Sequence, residues 1–477
     1  MPKPPYELMY NQDDSALFFQ IKQRITPAHV DTMVDEAADG GADAMLICVN
    51  AQMASYPSKV WQRCWENKHP HPMAYHVKAG ELAEQCDYLQ RSLERCRQRQ
   101  IAPGASIRMN DMHGYPEWPD SPMFSDFYRA HPEWQLDNSI LGRGYGARGL
   151  NYACPQVREH YLALIREVAE EYDVEILELD FLRFPSFFDR KSAADNCRTM
   201  TDFIGQVRTT LDSAGRRINL IPRVPCLPAG AYELGFDVQT WAQQDLIDGL
   251  TVGMFLNTGW EIPIDQFQQL VGPQIALYAC CDFEARNAND WQGLPPEPLA
   301  TNRELLRGFA ANYLALGADG ICIFNLFCSR ERGQEPDFGA LSEMRDLQGL
   351  RTKPRRHLLS SGFRFLESDL PFQIPVRLEK NETRGFRMLL AAAEDDMKVE
   401  VQVIFDGDAH AQDLWLSLND RPTGCAREIV AGPQVERTTS VAKFAVPGDL
   451  VRDGWNELFV RCEDSPVAIL AIDVLFG

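Results

Sequence analysis

The first two-thirds of the chain alternates short apolar runs with longer segments in which apolar residues recur at helical spacing. This alternation is typical of strand–helix units that build a parallel sheet. Eight apolar runs predict strands at Ala16–Gln20, Ala44–Val49, Ala105–Asn110, Glu175–Phe181, Ile218–Val224, Leu250–Phe255, Ile275–Cys281 and Gly320–Asn325. The segments between them predict helices, among them Pro27–Asp39, His76–Arg99, Pro155–Glu171, Ala193–Ser213 and Thr301–Leu316.

The number of these units predicts the fold class. Eight strand–helix pairs in residues 1–350 predict an α/β fold, the (β/α)8 TIM barrel. Gly41-Ala-Asp-Ala and Gly317-Ala-Asp-Gly stand directly before the second and eighth strands, as expected where a helix ends and a buried strand begins. No Gly-rich phosphate loop follows the first run, which disfavours a doubly wound open sheet.

The pattern changes after Leu350. Residues 351–361 begin with the basic, proline-containing segment Arg351-Thr-Lys-Pro-Arg-Arg-His and are predicted to form a linker. In residues 362–477, period-two runs such as Lys398–Phe405 and Glu457–Cys462 alternate with turn residues. This pattern predicts an antiparallel, jelly-roll-like β-sandwich as an accessory domain, which either packs against the barrel or binds sugar itself.

Polar residues gather where the predicted strands end, and barrel enzymes place their active sites at the C-terminal ends of their strands. The residues at these ends are Gln20, Asn50, Gln52, Arg108, Asn110, Asp111, His113, Glu178, Asp180, Arg183, Arg223, Asn257, Trp260, Tyr278, Asp282, Glu284 and Asn325. Such a ring of amides, carboxylates, arginines and aromatic rings suits a ligand with many hydroxyl groups.

The fourth predicted strand carries two carboxylates. Side chains alternate along a strand, so Glu178 and Asp180 share the face opposite Leu177, Leu179 and Phe181. If the apolar face meets the helices, both carboxylates point into the barrel, where they need hydrogen-bond or charge partners. We expect Asp180, at the mouth, to be catalytic. Glu178 is either catalytic or a structural residue bound by an arginine.

The segment Glu175-Ile-Leu-Glu-Leu-Asp-Phe-Leu-Arg-Phe-Pro185 resembles the Asp-Tyr-Ile-Arg-Phe-Pro signature of bacterial glycosyl hydrolase (β/α)8-barrel domains. Asp180, Arg183 and Pro185 match this signature, whereas Phe181 replaces its tyrosine. The resemblance implies a glycoside hydrolase with Asp180 at its catalytic centre. It assigns no role to Glu178.

Glycoside hydrolysis normally uses two carboxyl groups. The candidates for the partner of Asp180 are Asp282 and Glu284, after the seventh predicted strand, and Asp111, after the third, and the sequence does not choose between them. Asp282 is expected to face inward because it shares strand parity with Tyr278 and Cys280. Residues expected to bind substrate are Asn110, Asp111, His113, Arg183, Arg223, Trp260, Tyr278, Glu284 and Asn325. Trp260 is the residue expected to stack on a sugar ring.

Two other functions remain open. Asp111 and His113, with Glu178 or Asp180, could ligate a divalent metal ion, as in a metal-dependent barrel lyase or isomerase acting on sugar acids. A barrel that binds glycans without catalysis is the second. The preferred hypothesis, hydrolysis of an oligosaccharide or glycoside, requires neither a metal nor a cofactor.

Charge and composition narrow the partners. The net charge of −21 disfavours nucleic acid, and no apolar run approaches the roughly 18 residues that would cross a membrane. The 13 scattered cysteines are expected to be free thiols in a reducing compartment. The start of the chain does not resemble a signal peptide, so a cytoplasmic location is expected, or a periplasmic or secreted one if a leader precedes this sequence. Nothing in the sequence indicates an oligomeric state.

Overall fold

Eight parallel strand positions close into a barrel in the computed structural model of the chain, which describes residues 3–113, 120–136, 148–254, 257–286, 299–360, 373–394, 397–432 and 439–477. The strands of this half are β1 Leu8–Gln12, β2 Ala44–Cys48, β3 Ala102–Arg108, β4 Ile176–Asp180, β5 Asn219–Leu220, β6 Arg223–Pro225, β7 Gly249–Gly253, β8 Ala276–Asp282, β9 Glu284–Arg286, β10 Leu299–Ala300 and β11 Gly320–Phe324. The order β3-β2-β1-β11-β8-β7-β6-β4 closes because β4 also pairs with β3. The predicted (β/α)8 barrel is confirmed.

The helices surround this barrel. They are α1 Ser15–Phe18, α2 Pro27–Asp39, α3 Ala74–Ala83, α4 Tyr88–Gln98, α5 Asp126–Ala130, α6 Pro155–Glu171, α7 Cys197–Asp212, α8 Pro228–Glu233, α9 Val238–Gln243, α10 Ile264–Val271, α11 Arg303–Ala315 and α12 Leu347–Arg351. Helices α2 and α6 have the predicted bounds, since a proline at the first helical position sets the start of each. The predicted helix His76–Arg99 is two helices, and the Asp87 side chain caps the second by accepting two backbone N–H groups. None of the described helices has the length and apolarity needed to cross a bilayer.

The prediction for the first strand is wrong. The strand is Leu8–Gln12, which pairs with β2 and β11, whereas Ala16–Phe18 belong to the short helix α1 that follows it. Leu8–Gln12 ends in the polar residues Asn11 and Gln12, both buried, so it does not stand out as an apolar run. As a result Gln20 lies beyond the strand end, where its side chain donates to the carbonyl of Phe327.

The predicted alternation on β4 is confirmed. Leu177, Leu179 and Phe181 belong to the large apolar cluster that the strands form with the surrounding helices. Glu178 lies on the other face and reaches Asn11 of β1, which is not a neighbour of β4 in the sheet, so the contact crosses the barrel interior. A separate cluster fills the interior below the mouth: Tyr6, Met9, Ala44, Leu46, Ile176, Ile221, Ala276, Tyr278, Cys280, Cys322 and Phe324.

The C-terminal part is an antiparallel β-sandwich, as predicted. Its strands are β12 Arg355–Ser360, β13 Val376–Leu378, β14 Glu382–Leu390, β15 Val399–Asp406, β16 Leu414–Leu418, β17 Arg421–Cys425, β18 Glu428–Ala431, β19 Ser440–Val446, β20 Gly454–Cys462 and β21 Val467–Phe476. One sheet has the order β12-β21-β15-β19-β18 with β13 also on β21, and the other has the order β14-β20-β16-β17. Their facing apolar side chains form a second core.

The sandwich packs directly on helix α11 of the barrel. Gly308 faces the carbonyl oxygen of Arg356, which would lie 2.0 Å from a Cβ atom at that position. Asn312 of the same helix donates to the carbonyl of Leu389 at 2.7 Å. The Arg355 guanidinium donates to four main-chain carbonyls: those of Leu350 and Arg351 on the barrel side and those of Ala391 and Ala392 on the sandwich side. These hydrogen bonds connect the two sides of the junction.

Candidate functional site

Polar side chains from several strand ends meet at the C-terminal mouth of the barrel. They come from β1 and the residues that follow it, from β3, β4, β6 and β8, and from the end of β11. The members are Asn11, Asp13, Arg108, Asp111, His113, Asp180, Arg183, Arg223, Asp282 and Asn325. Since all the barrel strands are parallel, their C-terminal ends lie at one face, as in barrel enzymes generally.

Asp180 is the last residue of β4 and is held by three donors. Its Oδ1 accepts the backbone N–H groups of Leu182 at 3.0 Å and Arg183 at 2.9 Å, because the chain turns back over the carboxylate after the strand. Its Oδ2 accepts from the Arg223 guanidinium at 3.1 Å. Both carboxylate oxygens of Asp180 therefore accept hydrogen bonds, one of them from a charged donor.

Arg223, on β6, is buried next to Asp180 in the barrel register. Its guanidinium lies 3.9 Å from the centre of the Phe324 ring, a cation–π contact. Burial by itself would lower the pKa of Arg223, but the nearby Asp180, Cys280 and Glu178 raise it above its ordinary value. Arg223 therefore stays positively charged and forms an ion pair with Asp180.

Asp282 ends β8 in a contrasting environment. Its Oδ1 accepts one backbone N–H, from Glu284 at 3.2 Å, while its enclosed Oδ2 has no hydrogen-bond partner among the described residues. Burial raises the pKa of Asp282 to about 8, against the opposing effect of Arg223. The hydroxyl groups of Thr258 and Thr301 both donate to the Asp282 carbonyl and fix its main chain. At neutral pH Asp282 is therefore a neutral acid.

Glu178 lies one inward-facing position below Asp180. Its Oε1 accepts from the Asn11 amide at 2.5 Å and from the Ser106 hydroxyl at 2.7 Å. Burial first, and then the charge of Asp180, raises the pKa of Glu178 to about 8. Both donors belong to barrel strands and not to the loops of the mouth.

Arg108, the last residue of β3, binds two aspartates: Asp13, which follows β1, and Asp111, three residues further along its own chain segment. It contacts Asp13 at 2.5 Å and donates to Asp111 at 2.9 Å, and the Asn325 amide donates a further bond to Asp13 at 2.7 Å. Burial would raise the pKa of Asp13, but Arg108 and Arg183 lower it to about 2. Asp13 is therefore an ionised anchor of the mouth.

His113 extends this network toward Arg183. Its Nδ1 lies 2.9 Å from both Asp111 carboxylate oxygens, and its Nε2 lies 3.3 Å from an Arg183 guanidinium nitrogen. Burial lowers the pKa of His113, although Asp111 acts in the opposite direction. A neutral imidazole that donates from Nδ1 to Asp111 and accepts at Nε2 fits both contacts.

Three predicted substrate-binding residues have other partners. Asn110 bonds through its amide to the main chain of Leu150 and Ser186. Trp260 is buried against Phe309 of α11 and donates to the carbonyl of Ala285. Tyr278 belongs to the inner apolar cluster, two residues before Asp282.

Glu284 and Asn325 do lie beside the mouth carboxylates. The Glu284 backbone N–H binds Asp282, and its carbonyl accepts from the backbone of Thr258. Asn325 binds Asp13 with both its amide group and its side-chain oxygen, the latter accepting the Asp13 backbone N–H at 2.9 Å.

The hydrophobic pattern of the sequence does not reveal the polar residues at and directly after the end of β1. Misplacing the first strand removed Asn11, Asp13 and Asp14 from the candidate list. Asp14 is buried, accepts from the Tyr75 hydroxyl at 2.5 Å, and has its pKa raised to about 6 by burial. The four consecutive polar residues Asn11-Gln-Asp-Asp14 directly after Leu8-Met-Tyr10 were the available signal.

The described residues include no group of three His, Cys, Asp or Glu side chains placed to hold a metal ion. Asp111 and His113, the proposed ligands of the metal hypothesis, bind each other and their arginine neighbours.

The chain is similar to known proteins in three-dimensional structure but not in sequence. No protein family model matches the chain, and no curated protein matches it either. Similar solved structures include α-L-fucosidase isoenzyme 2 from Paenibacillus thiaminolyticus, with a TM-score of 0.44 and 12% identity over 73% of this chain and 48% of the fucosidase. The chain thus spans about half the length of that enzyme.

Two further similar structures are the PgaB glycoside hydrolase domain from Bordetella bronchiseptica and a maltogenic α-amylase from Thermotoga neapolitana. The first has a TM-score of 0.46 and 11% identity over 72% of this chain and 99% of that domain. The second has a TM-score of 0.40 and 11% identity over 97% of this chain and 98% of the amylase. At this level of similarity, any function has to be argued from the side chains of the mouth.

Proposed function

We propose that the protein is a glycoside hydrolase in which Asp180 and Asp282 are the two catalytic carboxyl groups. The contrast between them carries the proposal. Asp180 has three donors, including Arg223, whereas Asp282 has one donor and a buried oxygen without a partner among the described residues. Glycoside hydrolysis requires this division, with one carboxyl protonated and the other ionised.

The roles follow from the two environments. Asp282, neutral below about pH 8, gives its proton to the glycosidic oxygen as the bond to the anomeric carbon breaks. Asp180 acts at the anomeric carbon, either as a nucleophile or as the base that removes a proton from the attacking water. Arg223 places its positive charge against Asp180 Oδ2.

The charges of the mouth favour an uncharged oligosaccharide or glycoside as substrate. Arg108 and Arg223 each bind an aspartate, and Arg183 lowers the pKa of Asp13 through its charge. Because each of these three guanidinium groups already interacts with an aspartate, none is assigned to an anionic substrate.

The test is hydrolysis of a panel of aryl glycosides and oligosaccharides by the purified protein and by Asp180→Asn and Asp282→Asn. We expect each variant to lose at least about 100-fold in kcat, the range for removing an acid–base group. Asp202→Asn, at an exposed position on α7, is the matched control and should retain full activity.

Normal turnover by Asp180→Asn would eliminate the proposal. Sugar binding without turnover on the whole panel would favour a glycan-binding barrel, and loss of activity with a chelator would favour the metal-dependent lyase or isomerase.

A further inference from the structure

Glu178 is enclosed within the barrel wall, although it lies only two residues before Asp180 on β4. It pairs in register with Ser106 of β3, whereas Asp180, at the strand end, pairs with Arg108. No part of its surface is exposed, and its Oε2 is enclosed without a hydrogen-bond partner among the described residues. The donors to its Oε1, Asn11 and Ser106, are themselves buried strand residues.

A catalytic acid or base must reach the substrate or a water molecule. Asp180 and Asp282 are the last residues of their strands and adjoin the loops of the mouth. Glu178 lies inside its strand, one inward-facing position farther from the mouth than Asp180.

We infer that Glu178 is a positioning residue of the proposed reaction and not its second carboxyl group: it is held inside β4 by Asn11 and Ser106, and it leaves Arg223 to Asp180. The inference rests on the proposed function and deepens it, since it excludes one of the three predicted catalytic carboxyl groups.

The groups that face Glu178 come from six strands. They are Asp180 on β4 itself, Asn11 on β1, Ser106 on β3, Arg223 on β6, Cys280 on β8 and Cys322 on β11. Arg223 is the cation among them, and it already binds Asp180. A second negative charge at Glu178 would therefore repel Asp180 and compete with it for Arg223.

The sign of the pH effect follows from this competition. Burial, followed by the charge of Asp180, raises the pKa of Glu178 to about 8, with Arg223 and the Ser106 hydroxyl acting in the opposite direction. Below that pH Glu178 is neutral, and Arg223 forms its ion pair with Asp180 without competition. Above that pH the ionised Glu178 competes with Asp180 for the positive charge of Arg223, and we expect activity to fall.

Two groups then lose protons on the alkaline side of the activity profile, Glu178 and the acid Asp282. Cys280 is a third titrating neighbour, with its pKa lowered to about 7 by its contact with Cys322 against the effect of burial. A Cys280→Ser background removes this thiol from the measurement.

The experiment measures kcat/KM from pH 5 to pH 10 in Cys280→Ser and in Cys280→Ser/Glu178→Gln. At pH 6.5 we expect the glutamine variant to keep kcat within about threefold, since glutamine imitates the neutral acid. The logarithm of kcat/KM should fall with a slope of about two per pH unit at high pH in the background protein, and of about one in the glutamine variant, because one proton fewer is lost.

A loss of about 100-fold or more in kcat at pH 6.5, with an unchanged melting temperature, would identify Glu178 as a catalytic group and overturn the inference. An unchanged alkaline slope would overturn it as well, since a merely structural residue leaves the profile as it is.

Ser106→Ala covers the case in which Glu178→Gln does not fold. Removing this hydroxyl takes one donor from the ionised form of Glu178, so the alkaline limb should move to higher pH. A limb that stays in place or moves to lower pH contradicts the inference. Failure of the proposed function is recognised separately, by activity that survives in Asp180→Asn or Asp282→Asn.

Discussion

Arg223 and Asp180 lie opposite each other in register on neighbouring barrel strands, and the guanidinium donates to the carboxylate at 3.1 Å with both side chains buried. The pair joins the β4 and β6 ends of the mouth. Because both side chains are buried, water cannot replace either partner if the other is removed.

Arg223→Met should therefore impair both activity and folding. Asp180 would keep its two backbone donors but lose the charged one, and we expect kcat/KM to fall at least about 100-fold, as for removal of an electrostatic donor. The free energy of unfolding in urea should fall by about 3 kcal/mol, because a buried carboxylate is left without its counter-charge. Arg198→Met, at a position 92% exposed on α7, is the control and should change neither quantity. Wild-type kinetics in Arg223→Met would show that the pair has no role in catalysis.

Asp282→Asn should make the protein more stable while removing its activity. The carboxyl of Asp282 has its pKa raised to about 8 by burial in the folded state, whereas in the unfolded chain it ionises near pH 4. Between these values the unfolded chain releases a proton that the folded protein keeps, so stability falls as pH rises. The asparagine side chain does not titrate, so this pH-dependent loss of stability is absent from the variant. Its amide oxygen can still accept the hydrogen bond from the Glu284 N–H.

The measurement is urea unfolding of both proteins at pH 4.5, 6 and 7.5. At pH 7.5 the variant should be more stable by about 2 kcal/mol or more, and this gain should shrink toward pH 4.5. A gain that is the same at all three pH values would contradict a neutral Asp282 in the folded protein.

The fold was largely predictable because barrel strands are read from apolar runs, and seven of the eight strand positions are such runs. The first strand is the exception for a physical reason. Its last residues, Asn11 and Gln12, are polar but buried at the mouth, so the hydrophobic pattern fails where function requires polar groups inside. The alternation of side chains along β4 correctly predicted that Glu178 and Asp180 lie on the inward face of the strand.

The state of each carboxyl group could not be read from the sequence. Asp180 and Asp282 are both aspartates at strand ends, and they differ only in what the folded chain places around them: two backbone N–H groups and Arg223 for one, an enclosed oxygen for the other. Trp260 shows the same limit, since its position after a strand did not reveal that α11 covers its ring.

Asn325 should stabilise the mouth through both its backbone and its side chain. It has a left-handed backbone with φ of 54°, which asparagine tolerates better than alanine, and it makes two hydrogen bonds to Asp13. Asn325→Ala should lower the free energy of unfolding by about 2–4 kcal/mol, combining backbone strain with the loss of two buried hydrogen bonds to Asp13. Asn325→Gly also removes the two hydrogen bonds to Asp13, but glycine adopts the left-handed backbone without strain. Its loss of stability should therefore be about 1 kcal/mol smaller.

The exposed Asn381, with φ of 62°, provides the matched control. Its alanine and glycine variants should differ by the same backbone contribution. If Asn325→Gly is as stable as the wild type, the bonds to Asp13 do not support the mouth.

The junction between barrel and sandwich can be tested with two glycines that both lie in helices. Gly308 of α11 has no room for a Cβ atom, which would lie 2.0 Å from the Arg356 carbonyl oxygen, whereas a Cβ on Gly205 of α7 would meet nothing within 4 Å. Gly205→Ala should raise the free energy of unfolding by about 0.5–1 kcal/mol, since alanine restricts the unfolded chain and favours the helix. Gly308→Ala should lower it by about 3 kcal/mol or more, because helix α11 and strand β12 must separate to admit the methyl group. Urea denaturation of the two variants measures this opposite response to one substitution in two helices. Stabilisation of both would mean that the sandwich does not pack tightly on α11.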